Sequence, residues 1–166
     1  MTEGMTKAAA EELLYREALY LDTQRFDDWL ALFTEDVEFW MPAWRDEVST
    51  TGDPEQELSL IYYKGRRNLE DRVMRLTSGL SVASTPLPRV VHLVTNVLVV
   101  EAQSDHAVIS AAFNTHRFDA RMSRADQFFG RYDYRVVRHG DAWKIARKKI
   151  TLLNDMIPTV VDINVL

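Results

Sequence analysis

The stretch Val90-Val91-His92-Leu93-Val94-Thr95-Asn96-Val97-Leu98-Val99-Val100-Glu101 decides the fold class. It is rich in Val and Leu, residues that fit a pleated surface and lose side-chain freedom in helices. Working outward, Gln103-Ser104-Asp105 turns the chain into a second such run, Ala107 to Phe118. Asp119 to Ala125 turns it into a third, Gln127 to Arg138, and His139-Gly140-Asp141 makes a tight hairpin into a fourth, Trp143 to Leu153. The fourth run is apolar at odd numbers at Trp143 and Ile145, but at even numbers at Ile150 and Leu152. That change of parity predicts a bulge between Ala146 and Lys149.

Upstream, the periodicity changes from two to between three and four. Leu14, Ala18 and Leu21 share a stripe over residues 7–22, behind a capping residue at Thr6. Phe26, Leu30 and Phe33 predict a second short helix over 25–33, ended by a turn at Thr34-Glu35-Asp36. Val37 to Met41 reads as a short strand stopped by Pro42, and Leu58 to Tyr63 as another. Between them lies a long polar loop, 43–57. Asn68 to Thr77 reads as a helix with Asn68 as its cap and Leu69, Val73 and Leu76 on one face. Prolines 86 and 88 keep Ser78 to Arg89 irregular. Helices first and a meander of strands afterwards predict an α+β domain spanning residues 1–166.

Composition narrows the chemistry. The chain has 166 residues, 46% of them hydrophobic, and a net charge of −5. That balance disfavours generic nucleic-acid binding, which needs a basic face. The short run Arg147-Lys148-Lys149 reads as a solvated or interface strand. There is no cysteine, so the chain offers neither a thiol nucleophile nor a thiolate ligand. Met1-Thr2-Glu3-Gly4-Met5 lacks the basic start and apolar core of a signal peptide, and the expected location is the cytoplasm.

Candidate chemistry is sparse. No two of His92, His106, His116 and His139 stand at a helical metal-ligand spacing. His106 and His139 fall in expected turns and read as solvated. His92 and His116 lie on strands and can face each other, with Asp133 as a third ligand; alternatively, Asp133 pairs with Arg131 and Arg135. Tyr15, Asp22, Asp36, Tyr62, His92 and Asp133 could serve acid–base catalysis inside a domain of this kind. Each also has a structural reading as core aromatic, turn residue or ion-pair partner. Partner binding is better supported. Trp40, Trp44, Tyr62 and Tyr63 flank the polar loop with Arg45, Arg66 and Arg67 nearby, and aromatics and Arg are enriched at interface centres. Arg89 joins them as a candidate contact, and no residue is assigned a catalytic, cofactor or metal role.

Phe39-Trp40-Met41-Pro42-Ala43-Trp44, Asp53-Pro54-Glu55-Gln56-Glu57-Leu58-Ser59-Leu60-Ile61-Tyr62-Tyr63 and Asn68-Leu69-Glu70-Asp71-Arg72-Val73 form a series of motifs. To these belong Tyr15 to Asp22, Phe26 to Leu30, Ser81 to Arg89 with His92 and Asn96, Phe129 to Tyr132, and Lys148 to Asp155. Together they resemble the small (β) subunits of aromatic-ring-hydroxylating dioxygenases of the benzoate/anthranilate type. The resemblance implies a nuclear-transport-factor-2-like cone, with N-terminal helices packed on a strongly curved, mainly antiparallel sheet. It implies a β–β trimer within an α3β3 hexamer and no catalytic centre in the chain itself; separately, the longest apolar run, Trp29 to Phe33, is too short to span a bilayer, so no membrane is expected. It also implies an α subunit carrying a Rieske [2Fe–2S] cluster and a mononuclear Fe(II), with NADH supplying electrons through a reductase. The alternative is a stand-alone cone-fold isomerase, dehydratase or small-ligand binder; an open interior with converging carboxylate and His or Tyr would favour it.

Overall fold

The computed structural model describes residues 3–80, 85–155, 157 and 161–166. Part of one expected feature, Ser81 to Ser84 of the proline-flanked loop, lies outside them, as do Met156 and Pro158 to Val160 of the apolar C-terminal segment, which the sequence predicts to dock on its own domain or on a neighbour.

Helix α1 (Lys7–Asp22) starts where Thr6 accepts a hydrogen bond from Ala9 N–H. Its buried stripe includes Leu14, Ala18 and Leu21, as the periodicity predicts. Helix α2 (Phe26–Leu30) is shorter than expected. Phe33 does not continue it: Phe33 opens strand β1 (Phe33–Pro42) opposite Ile145, so the expected turn at Thr34-Glu35-Asp36 is strand. The pull comes from the last long strand, whose Ile145 N–H bonds Leu32 O at 2.8 Å. Strand β2 (Ser59–Lys64) pairs antiparallel with β1.

Helix α3 (Arg66–Thr77) buries Leu69, Val73 and Leu76 as expected, but its cap is Gly65, not Asn68. Gly65 has φ +92°, a conformation that suits glycine, and Asn68 instead donates its side-chain N–H to Lys64 O. The meander follows: β3 (Arg89–Ala102), β4 (His106–Asp119), β5 (Arg124–His139) and β6 (Ala142–Leu152).

The six strands form one sheet in the order β2-β1-β6-β5-β4-β3. Only β1 with β6 is parallel among the paired strands. The bulge in β6 falls where the parity predicts it. Arg135 pairs with Arg147 and Val136 with Ile145, leaving Ala146 as the extra residue. A second irregularity was not legible: β3 shifts register between Thr95 and Leu98, around Asn96 at φ +54°. It turns the strand over. His92 and Val97 both face inward, while Val91, Leu93, Leu98 and Val100 face out.

The core lies between the helices and the inner face of the sheet. Its bulk is aromatic: Trp29, Phe33, Phe39, Phe128, Tyr132 and Tyr134 are all essentially inaccessible. Trp29 meets Phe33 edge-on at 4.8 Å between centroids, and Phe113 stacks on Tyr132 at 4.2 Å. The C-terminal turn Ile163–Val165, with Leu166, is buried as well and packs on α1, β3 and β4.

Candidate functional site

Two regions concentrate chemistry: the polar part of the cone interior and the outward surface around the loop 43–57.

The interior holds two linked groups. In the first, Glu17 of α1 accepts from Tyr134 OH at 2.6 Å, Lys148 Nζ at 2.8 Å and Trp29 Nε1 at 3.4 Å. Lys148 also donates to Leu166 O at 3.1 Å and lies 4.3 Å from the centre of the Tyr132 ring. This corrects the reading of Arg147-Lys148-Lys149 as a solvated or interface strand at its middle residue. The middle residue points inward, because the bulge at Ala146 resets which residues face the core. Burial holds the Lys148 ammonium below its ordinary pKa, against the opposing pull of Glu17.

In the second group, His92 Nδ1 lies 2.6 Å from Asp22 Oδ1, and the Asp22 carboxylate also accepts the His92 backbone N–H at 3.1–3.2 Å. Asp22 sits at the last turn of α1 and His92 on the inner face of β3, so the pair ties helix to sheet. Thr115 is directly opposite His92 on β4.

Of the six residues considered for acid–base work, Asp22 and His92 meet. Tyr15 is exposed, Asp36 is an exposed residue of β1, Tyr62 is on edge strand β2, and Asp133 is on the outer face of β5. Tyr132 and Tyr134 are the inward hydroxyls that sequence reasoning missed; strict alternation along β5 carried the signal. The pairing of His92 with His116 does not form. Val91 is opposite His116, and His92 and His116 point to opposite faces. Asp133 shares the outer face of β5 with Arg131 and Arg135, but no ion pair joins them among the described residues. His106 is not a free turn residue: it opens β4, half-buried between Asp105 and Glu101. Hydrogen bonding to Asp105 raises its pKa. His139 is exposed, as read. Among the described residues no group of three His, Asp or Glu side chains is disposed to hold a metal ion.

On the surface, the loop 43–57 is ordered by its own polar groups. Thr51 bonds Ala43 and Leu58, and Asp46 accepts from Val48 and Ser49 backbone N–H groups. Glu57 accepts from Gly52 and Asp53 N–H groups and pairs with Arg45, which together lower its pKa. Trp44 donates its indole N–H to Leu152 O at 2.7 Å, pinning the loop to the end of β6. Trp44 and Arg45 line an open groove of about 540 Å³ with Asp46, Glu47, Leu153 and Asp155. Tyr62 and Tyr63 are half-buried on β2; Arg66 is engaged by Glu35 at 2.5 Å and by Glu70 at 3.1 Å. Arg89 lies at the far edge strand, over the Phe118 ring. The six expected contact residues thus do not form one patch: Arg89 is on β3, at the opposite edge of the sheet from β2. Around Arg89 is an apolar outer surface that sequence reasoning missed, with Val91, Leu93, Phe118 and Phe129 all exposed.

Comparisons with known proteins identify the class. Residues 16–159 match the family described as "Ring hydroxylating beta subunit", and the chain belongs to that family. It is 40% identical over 150 residues to the 2-halobenzoate 1,2-dioxygenase small subunit of Burkholderia cepacia, covering 90% of each chain. Among solved structures it is similar to the beta subunit of the benzoate 1,2-dioxygenase of Burkholderia mallei. The TM-score is 0.78 at 33% identity, with 94% of each chain covered. A hexachlorocyclohexane dehydrochlorinase has a TM-score of 0.62 at 12% identity over 87% of this chain and 83% of that one, a likeness of fold alone. The architecture is therefore the expected nuclear-transport-factor-2-like α+β cone.

Proposed function

We propose that this chain is one domain, residues 1–166, serving as the shape-giving β subunit of a dioxygenase that dihydroxylates an aromatic carboxylate of the benzoate or anthranilate kind. The observation that carries this reading is the 40% identity, over nearly the whole chain, to a small subunit of that substrate class. Three copies meet through the outer face of the sheet and hold three α subunits at fixed spacing in an α3β3 assembly in the cytoplasm. The apolar outward residues Val91, Leu93, Phe118 and Phe129 supply the β–β contact. Trp44, Arg45, Tyr62, Tyr63 and Arg66 supply contacts to the α subunit, and Arg89 borders the β–β surface.

The residues present do not fit a Rieske centre, which takes two Cys and two His, because the chain has no cysteine. The cluster and the mononuclear iron belong to the α subunit in this reading, with NADH delivering electrons through a reductase. The test is purification of the chain alone and with its α subunit, followed by iron and ring-hydroxylation assays. The expected result is activity with both polypeptides present. Stoichiometric iron or turnover by this chain alone would overturn the reading.

The interior does contain converging groups, Asp22, His92 and Tyr132, which the stand-alone isomerase or dehydratase reading requires. They lie within aromatic packing, and the C-terminal turn packs on α1 and β3, which carry Asp22 and His92. That filling favours the scaffold.

A further inference from the structure

Three buried polar atoms on the inner face of the sheet have no hydrogen-bond partner among the described residues: His92 Nε2, Thr115 Oγ1 and Tyr132 OH. Their side chains are inaccessible, with His92 8%, Thr115 0% and Tyr132 1% exposed. Such atoms are nearly always paired in folded proteins, with protein or with a bound molecule.

They also belong together. His92 and Thr115 are cross-strand partners on β3 and β4, which places their side chains side by side on one face. Tyr132 is on the inner face of neighbouring β5; its hydroxyl lies near that of Thr115 without reaching hydrogen-bond geometry. The Asp22 carboxylate fixes the donor pattern. It accepts at His92 Nδ1, and in the neutral imidazole that leaves Nε2 with its lone pair toward the interior. With the ring neutral, the three atoms offer one acceptor and two hydroxyls that can either donate or accept.

We propose that His92, Thr115 and Tyr132 form a buried site for one neutral hydroxyl group, which donates to His92 Nε2 and accepts from Tyr132 or Thr115. A hydroxyl matches this set; a carboxylate does not, because it has no proton for Nε2. A cation finds a lone pair at Nε2 but no second anionic group there, since the Asp22 carboxylate is already committed to His92. The hydroxyl is that of a water molecule, because Phe113 stacked on Tyr132 within the aromatic core leaves no open space for a larger group. The C-terminal turn packs on α1, β3 and β4, three of the four elements that carry the site and Asp22.

The test is a crystal structure of the full chain at high resolution, with and without a phenol soak, alongside 15N NMR of the histidine-labelled chain. The expected density is a peak within about 3.2 Å of His92 Nε2 and of at least one of the two hydroxyls. A spherical peak unchanged by phenol identifies water and supports the site; a planar peak would overturn it, because the described packing leaves no room for a ring. The expected NMR signature is an unprotonated Nε2 whose resonance moves in Tyr132→Phe and Thr115→Val. No density together with His92 Nε2 bonded to a protein atom would overturn the proposal, as would a protonated Nε2 at neutral pH. The wild-type measurements decide the matter even if a variant fails to fold.

Discussion

Lys148 Nζ lies 2.8 Å from Glu17 Oε1, and the two side chains are 1% and 3% exposed. This buried ion pair joins the first helix to the last strand across 131 residues of sequence. Its attraction competes with the cost of removing both charges from water, so its net value is small while the damage from breaking it is large. Lys148→Met is expected to cost about 3–5 kcal/mol, because it leaves Glu17 charged and buried. Adding Glu17→Gln should recover part of that loss, since the amide oxygen still accepts from Tyr134. Urea unfolding of the two variants measures both; an unchanged midpoint for Lys148→Met would show that the pair carries no weight.

Gly130 is fixed by close approach. A Cβ at this position would lie 1.9 Å from Thr151 O and 3.1 Å from the Phe113 ring. The carbonyl belongs to the paired strand β6 and cannot swing aside as a flexible side chain can. Gly130→Ala is therefore expected to cost about 3 kcal/mol or more. A loss below about 1 kcal/mol in urea unfolding would mean that the β5–β6 ladder yields at this point.

Parity along the strands explains which parts of this molecule were legible. In β6 the apolar positions change from odd to even, and the bulge at Ala146 was readable. In β3 both faces carry Val and Leu, so the alternation is flat and the reversal at Asn96 leaves no trace in composition. That is why the apolar outer surface around Leu93 escaped a reading that found the strand itself. The interior groups were hidden for another reason. Asp22 and His92 are 70 residues apart, and nothing local tells a buried, partnered charge from a solvated one. Lys148 shows the same effect: between Arg147 and Lys149 it looks like surface until Glu17 is brought to it.

The outer face of the sheet yields an assembly prediction. Leu93 is 51% exposed, so replacing it with lysine removes little packing within the chain. Leu93→Lys is expected to change unfolding free energy by no more than about 0.5 kcal/mol while shifting sedimentation toward monomer. A trimer of undiminished stability would place the β–β contact elsewhere.

Trp44 divides its work between fold and assembly. Its indole N–H bond to Leu152 O contributes about 1 kcal/mol to the isolated chain. Its groove beside Arg45 and Asp155 is open to a partner. Trp44→Ala is expected to weaken association with the α subunit by a larger factor than it weakens folding. Thermal melting and size analysis compare the two; equal losses would make Trp44 a packing residue only.

Alkaline pH tests the buried tyrosines. Burial, and then the charge of Glu17, push the hydroxyls of Tyr132 and Tyr134 well above their ordinary value of 10.0. The unfolded chain releases these protons near pH 10 while the folded chain keeps them. The folded state thus binds more protons above pH 10, and stability falls as pH rises beyond it. Lys148 acts in the opposite sense. Its folded pKa is below the ordinary 10.5, so its share of stability grows as pH rises toward that value. The tyrosine effect should therefore emerge as a downturn on the alkaline side of pH 10. In Tyr134→Phe the downturn should be shallower, even though the variant starts less stable for loss of the Glu17 hydrogen bond. Urea midpoints between about pH 9 and 11 provide the measurement. Parallel pH profiles for the two proteins would mean that Tyr134 ionises in the folded chain as it does in the unfolded one.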